Sequence, residues 1–175
     1  YGAYSGMTEP LTIAHMDTFE FLHVRGAGAD TALRSAFGSL PKEWFRCKKI
    51  DKNGFIARLG SREFYVFSLA GESYKTRITG DNLYLFERSD RVFGLRGNTR
   101  VNYLRELCAF DFSTSAGDQI VLASMAGVSC WFKMSSDEDV DILVGCDPTY
   151  GDYMAEVLGR SLDEFRIQGD ILGAD

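Results

Sequence analysis

RVFGLRGNTRVNYLRELCAFDF, residues Arg91 to Phe112, reads as a strand, a glycine turn, an amphipathic helix and a Cys-x-x-Asp exit. Val92, Phe93 and Leu95 form a short apolar run that ends at Gly94-Leu-Arg-Gly97, which is a strand signal. Asn98 or Thr99 can cap a helix running from Asn98 to Cys108, with Val101, Leu104 and Cys108 spaced three and four apart on its apolar side. Arg100 and Arg105 are expected on the opposite face, near solvent. Alone, this is a generic strand-turn-helix unit.

The flanking sequence repeats the order. After the helix, Ile120–Met125 and Val128–Met134 read as a hairpin across Ala126-Gly127. Val140, Ile142 and Val144 alternate with Asp139 and Asp141, predicting a strand with one wet face. Asp147-Pro148 then opens a helix from Pro148 to Leu158, because Asp caps and Pro suits the first turn. Upstream, Phe19–Val24 reads as a strand, Gly26–Gly28 as a turn and Asp30–Phe37 as a helix. Phe55–Leu59 and Phe64–Leu69 flank a Gly60-Ser61 turn, a weak helix is expected over Glu72–Ile78, and a strand over Leu83–Glu87. Two such β-α-β-β halves imply an α+β fold with mainly antiparallel sheets. The expected divisions are an N-terminal extension (1–16), one domain of two similar halves (17–88 and 89–160) and a fraying tail (161–175).

At 175 residues and 45% hydrophobic content, the chain can bury one sizeable core. Thirteen Phe and eight Tyr suit broad sheet faces. A net charge of −6, with 19 scattered Lys and Arg, argues against nucleic acid as partner. No apolar run approaches the roughly 20 residues that span a bilayer, so no membrane partner is expected. Cys47, Cys108, Cys130 and Cys146 are widely spaced without a CxxC pair, which fits free thiols in a reducing, cytoplasmic setting.

No catalytic or metal-binding constellation emerges. His15 falls in a start that reads as unstructured, and His23 alternates with Phe21 on a strand, as a structural histidine would. The Asp137-Glu138-Asp139-Asp141 run lacks the turn glycine and terminal Glu of a calcium loop and reads as a solvated turn. RGAGAD, residues 25–30, is an incomplete GxGxxG without a parallel βαβ context. Cys108 ends a helix, where the dipole raises a thiol's pKa, so packing is favoured over reactivity. Trp131 points away from Cys130, either into the core of a second layer or onto an exposed sheet face.

Four stretches together resemble the gamma-subunit family of heterotetrameric sarcosine oxidase, within the aminomethyltransferase-like, folate-binding fold group. They are GSREFYVF (60–67), RSDRVFGLRG (88–97), NYLRELCAFDF (102–112), and ASMAGVSCWF (123–132) with VDILVGCDPTYGDYMAEVL (140–158). Cys108 and Asp111 fall in register with a Cys-Pro-x-Asp pattern in which Ala109 replaces Pro, and Met125 replaces a usual Leu. The resemblance implies an aminomethyltransferase N-terminal-like fold and a non-catalytic subunit of a flavin-dependent complex oxidising N-methyl amino acids in one-carbon metabolism. Flavin, nicotinamide cofactor and folate would then sit in the larger flavoprotein subunits, with no catalytic, cofactor-binding or metal residue in this chain. Partner contacts are expected at Arg91, Cys108, Asp111 and Trp131, where the resemblance is densest and the residue types suit interfaces. The alternative is a stand-alone folate-binding or one-carbon-transferring protein. Ser89 and Asp90 lie near the place where the family is expected to carry its folate-pocket Asp, but the Asp-x-Ser-His-Met pattern is missing.

Overall fold

A computed structural model gives the structure of the chain and describes residues 10–52, 54–69, 73–114, 117–135 and 141–172. The strands are β1 (Thr12–Met16), β2 (Phe19–Arg25), β3 (Cys47–Lys49), β4 (Gly54–Gly60), β5 (Glu63–Leu69), β6 (Tyr84–Glu87), β7 (Arg91–Arg96), β8 (Ile120–Met125), β9 (Val128–Lys133) and β10 (Ile142–Cys146). The α-helices are α1 (Ala29–Phe37), α2 (Arg100–Leu107) and α3 (Gly151–Leu172).

Strand alternation sorts the apolar side chains into layers. Along β2, Phe21 turns inward while Leu22 and Val24 turn outward onto α1. Along β9, Trp131 turns inward while Cys130 and Phe132 turn outward beneath α2 and α3. The result is helix, sheet, sheet, helix, with a largely aromatic layer between the sheets. One sheet has the order β3-β4-β5-β2-β6 and the other β8-β9-β10-β7-β1, and every pairing is antiparallel. The sheets meet along one edge, where Ile120 N donates to Phe45 O (2.9 Å) and Cys47 N donates to Asp118 O (3.0 Å).

The two halves repeat, with one shift from the hairpin-to-hairpin match that the sequence suggests. In space, β2-α1-β3-β4-β5 corresponds to β7-α2-β8-β9-β10, so the β4–β5 hairpin matches β9–β10 rather than β8–β9. The edge beside β2 is filled by β6, and the equivalent edge beside β7 by β1. The two turn glycines explain the equivalence. Gly26 (φ +118°) and Gly97 (φ +113°) follow the equivalent strands β2 and β7, and a Cβ on either would overlap backbone, that of Asn82 before β6 or of Leu11 before β1. Gly28 N donates to Asn82 O (3.1 Å), so the glycine turn is used to seat a neighbouring segment.

Several local expectations change. Thr12–Met16, read as extension, is a sheet strand, and His15 packs edge-on to Phe93 with centroids 4.8 Å apart. The tail is a continuation of α3 to Leu172, because Phe165 packs on Tyr103 and Arg166 Nη2 donates to Leu11 O (2.8 Å). Residues Pro148–Tyr150 form a 3-10 turn ahead of α3. Arg100 is buried, with Nη1 donating to Gly97 O (3.1 Å), whereas Arg105 is exposed. The weak helix reduces to a 3-10 turn at Lys75–Arg77, anchored where Tyr74 N donates to Glu20 Oε2 (2.6 Å); Glu72 lies outside the described residues. β10 is buried on both faces rather than one, because it is the middle strand of its sheet and runs between the helices and the facing sheet. Residues 136–140, which carry most of the acidic run and the start of that expected strand, lie outside the described residues.

Candidate functional site between the sheets

The inter-sheet layer is closed in its middle by Phe21, Phe67 and Trp131, whose rings lie 5.0–6.0 Å apart. It opens into a cleft at each end, and each cleft gathers charged side chains that the surrounding strands would otherwise exclude.

At the first end, Asp90 sits between β6 and β7 with only 6% of its surface exposed. Arg88 holds it in a two-pronged pair, Nε to Oδ1 and Nη2 to Oδ2, each 3.0 Å. Trp131 Nε1, on β9 of the sheet that β7 belongs to, donates to the same Oδ2 at 2.8 Å. Arg88 also lies 5.3 Å from the ring centres of both Phe21 and Tyr65, and its Nη1 reaches Tyr65 Oη at 3.3 Å. Gly145 lies under the indole, where a Cβ would overlap it. Burial alone would lower the Arg88 pKa; the hydrogen bonds to Asp90 and the nearby negative charge outweigh it and hold the guanidinium charged. Burial raises the Tyr65 pKa, and Asp90 and Glu63 add to that rise, so its phenol stays protonated. The cleft, about 440 Å³, runs from Tyr65 and Arg88 to Leu122, Ser124 and Ser129. A second hollow of about 520 Å³ shares Arg88 and Asp90 and reaches Ser89 and Arg91. These three bonds take up most of the acceptor capacity of the Asp90 carboxylate. The arrangement is that of a clamp joining the halves.

At the other end, Phe55, Phe67, Leu69 and Leu143 form an apolar floor in a cleft of about 200 Å³. Lys49, Lys52, Arg96 and Lys133 stand around it with Asp51 and Asp141. Lys133 is buried, donates to Asp118 Oδ1 (2.9 Å) and lies 5.9 Å from the Phe55 ring centre. Arg96 Nε donates to Asp141 Oδ1 (2.7 Å), and Tyr74 donates to Asp51. Burial, above all, pushes the nearby Cys47 thiol up to about 12, so thiolate is scarce there at neutral pH. A flat apolar body bearing a negative charge suits this mouth.

The four expected contact residues are not brought together. Trp131 is on the inner face of its sheet, and Cys108 is buried on the outer face beneath α2. Arg91 Nη2 pairs with Asp152 Oδ1 (3.3 Å) at the surface and packs over Gly151. Asp111 is exposed and accepts from Ser113 N (3.0 Å) and Oγ (2.6 Å), which holds its pKa down. Sequence reading missed Arg88, Tyr65 and Lys133. A lysine closing the apolar run VSCWFK was the available signal for Lys133. Nothing local marked Arg88, whose partners lie on three other elements or loops.

No protein-family model matches the sequence, and no curated protein matches it either. Solved structures do match. One is a chain of the heterotetrameric sarcosine oxidase from Corynebacterium sp. U-96 in complex with pyrrole 2-carboxylate, with a TM-score of 0.75 and 16% identity over 89% of this chain and 85% of that one. Another is the glycine cleavage system aminomethyltransferase T from Bartonella henselae, with a TM-score of 0.67 and 14% identity over 85% of this chain. The fold is aminomethyltransferase-like. The chain spans 45% of that aminomethyltransferase but most of the sarcosine oxidase chain, which is therefore close to it in length. At these identities the aminomethyltransferase-like likeness is one of fold. Among the described residues, no helix is long and apolar enough to cross a membrane.

Proposed function

We propose that this chain is a small, non-catalytic subunit of a cytoplasmic, flavin-dependent amine-oxidising complex that resembles sarcosine oxidase and acts on N-methyl amino acids. The observation that carries this reading is the extent of the structural match: 89% of this chain lies on 85% of a chain from a heterotetramer. The Arg88–Asp90–Trp131 clamp supports it, since the buried Asp90 carboxylate is committed to holding the halves together. Flavin, nicotinamide cofactor and folate belong to the larger subunits in this reading. The test is to isolate a tagged chain from its native host. The expected preparation is a hetero-oligomer with flavin absorbance and N-methyl amino acid oxidation, which the separated chain lacks. Recovery of the chain alone, without flavin, would sink the proposal.

A second reading, a stand-alone folate-binding or one-carbon-transferring protein, is favoured by the apolar cleft ringed by Lys49, Lys52, Arg96 and Lys133. Titrating tetrahydrofolate into the isolated chain decides it. Saturable binding that Lys133→Met abolishes favours the second reading over the first.

A further inference from the structure

Two thiols face each other across adjacent strands of the second sheet. Cys130 on β9 and Cys146 on β10 are Cα partners in antiparallel register. Alternation puts both on the outer face, in the same buried cluster as Met154 of α3. Directly opposed residues of antiparallel strands have Cα atoms about 4.5 or 5.5 Å apart, depending on the pair type. Disulfides span Cα separations of about 4.4–6.8 Å, so either pair type lies within that range. Both thiols are unlinked and nearly sealed from solvent, at 5% and 2% exposure.

We propose that Cys130 and Cys146 are a reversible cross-strand disulfide site, with hydrogen peroxide as the oxidant. One thiolate attacks peroxide, the O–O bond breaks, and a sulfenic acid and hydroxide form. The second thiol's sulfur displaces the sulfenic hydroxyl, the S–S bond forms, and the protons leave with the oxygens as two waters. Two electrons pass from sulfur to peroxide, and a dithiol returns them. Burial is the main cause that pushes Cys130 up to about 12 and Cys146 up to about 11. Asp90 adds to the rise at both thiols, Cys108 to that at Cys130 and Asp147 to that at Cys146, while Arg91 on β7 opposes it at Cys146. Thiolate is therefore scarce at neutral pH, and oxidation runs faster by about tenfold for each pH unit gained below those values. Cys146 immediately precedes Asp147, whose Oδ1 accepts from Thr149 N (2.9 Å) at the entry to α3. Oxidation thus ties β10 to β9 under the start of that helix. The inference does not depend on the subunit reading.

The full chain is incubated with hydrogen peroxide at pH 7 and pH 8, alkylated, and mapped by non-reducing peptide mass analysis. The expected product is a Cys130–Cys146 peptide pair lighter by about 2 Da, forming about tenfold faster at pH 8 and reversed by dithiothreitol. Its Tm should rise by roughly 6–12 °C, from the loop-closure effect of a short loop on a chain this size. Cys108→Ser should keep the link, and either Cys130→Ser or Cys146→Ser should abolish it. A Cys108–Cys130 link would overturn the proposal. So would a sulfinic acid on Cys130 with Cys146 still alkylated, or no link at pH 9.

Discussion

Asp90 accepts three hydrogen bonds from two side chains that belong to different halves, so partners take the place of water around its carboxyl group. Removing that charge with Asp90→Asn leaves Arg88 partly buried and unpaired from it. We expect a loss of about 2–3 kcal/mol in urea unfolding, below the range for a fully buried pair because Arg88 keeps some solvent. A change under about 0.5 kcal/mol, the scale of ordinary surface substitutions, would show that the clamp is incidental. His23 makes a second prediction. Burial lowers its pKa, and Glu63, whose Oε1 lies 2.7 Å from Nε2, only partly restores it. The unfolded state therefore takes up the proton first, and stability falls as the pH drops from the ordinary histidine value through the lowered one. Thermal melts across that window should show the slope for wild type and a flatter profile for His23→Gln; equal slopes would refute the assignment. The sequence marks Asp90 only through its place near the folate-pocket position that the resemblance implies, and His23 only as a structural histidine. Asp90 sits among charged neighbours in FERSDR, and its partner Trp131 lies 41 positions away.

Elements were legible where each buries its own alternating or helical stripe. β2, β4, β5, β7, β8, β9 and the cores of the three helices fall close to where periodicity puts them, since their side chains decide the outcome locally. β1 and the end of α3 were illegible because what orders them is remote. TIAHM, residues 12–16, becomes a strand through pairing with Arg91–Arg96, and the last turns of α3 are held by Tyr103 and Leu11. The paired glycines turn the repeat into a test. Gly26→Ala must displace the segment before β6, and Gly97→Ala the segment before β1, each at a cost of about 2 kcal/mol or more. Amide exchange should accelerate mainly in β6 for the first variant and mainly in β1 for the second. Uniform acceleration in both would mean that the equivalence of the two edges has no energetic counterpart.

For the molecule as a whole, the shared aromatic layer and the β3–β8 seam make one unit out of two sheets. That leaves assembly to surfaces such as the one around Arg91, which is half-exposed and paired with the exposed Asp152. In the proposed complex, Arg91→Glu should reduce recovery of the larger subunits severalfold while the isolated chain keeps its circular dichroism and Tm. Equal recovery would leave Arg91 without a role in assembly, and an unfolded variant would make it a structural residue. The position of β1 has a consequence for how the protein is made. β1 precedes the other strands along the chain, yet its partner Arg96 is synthesised 84 positions after Thr12, once the strands and helix of the other sheet have been made. The earlier sheet can close on its own β6 while the first strand waits as an open edge, and translation speed through α2 sets how long that edge stays exposed to chaperones or to another nascent chain.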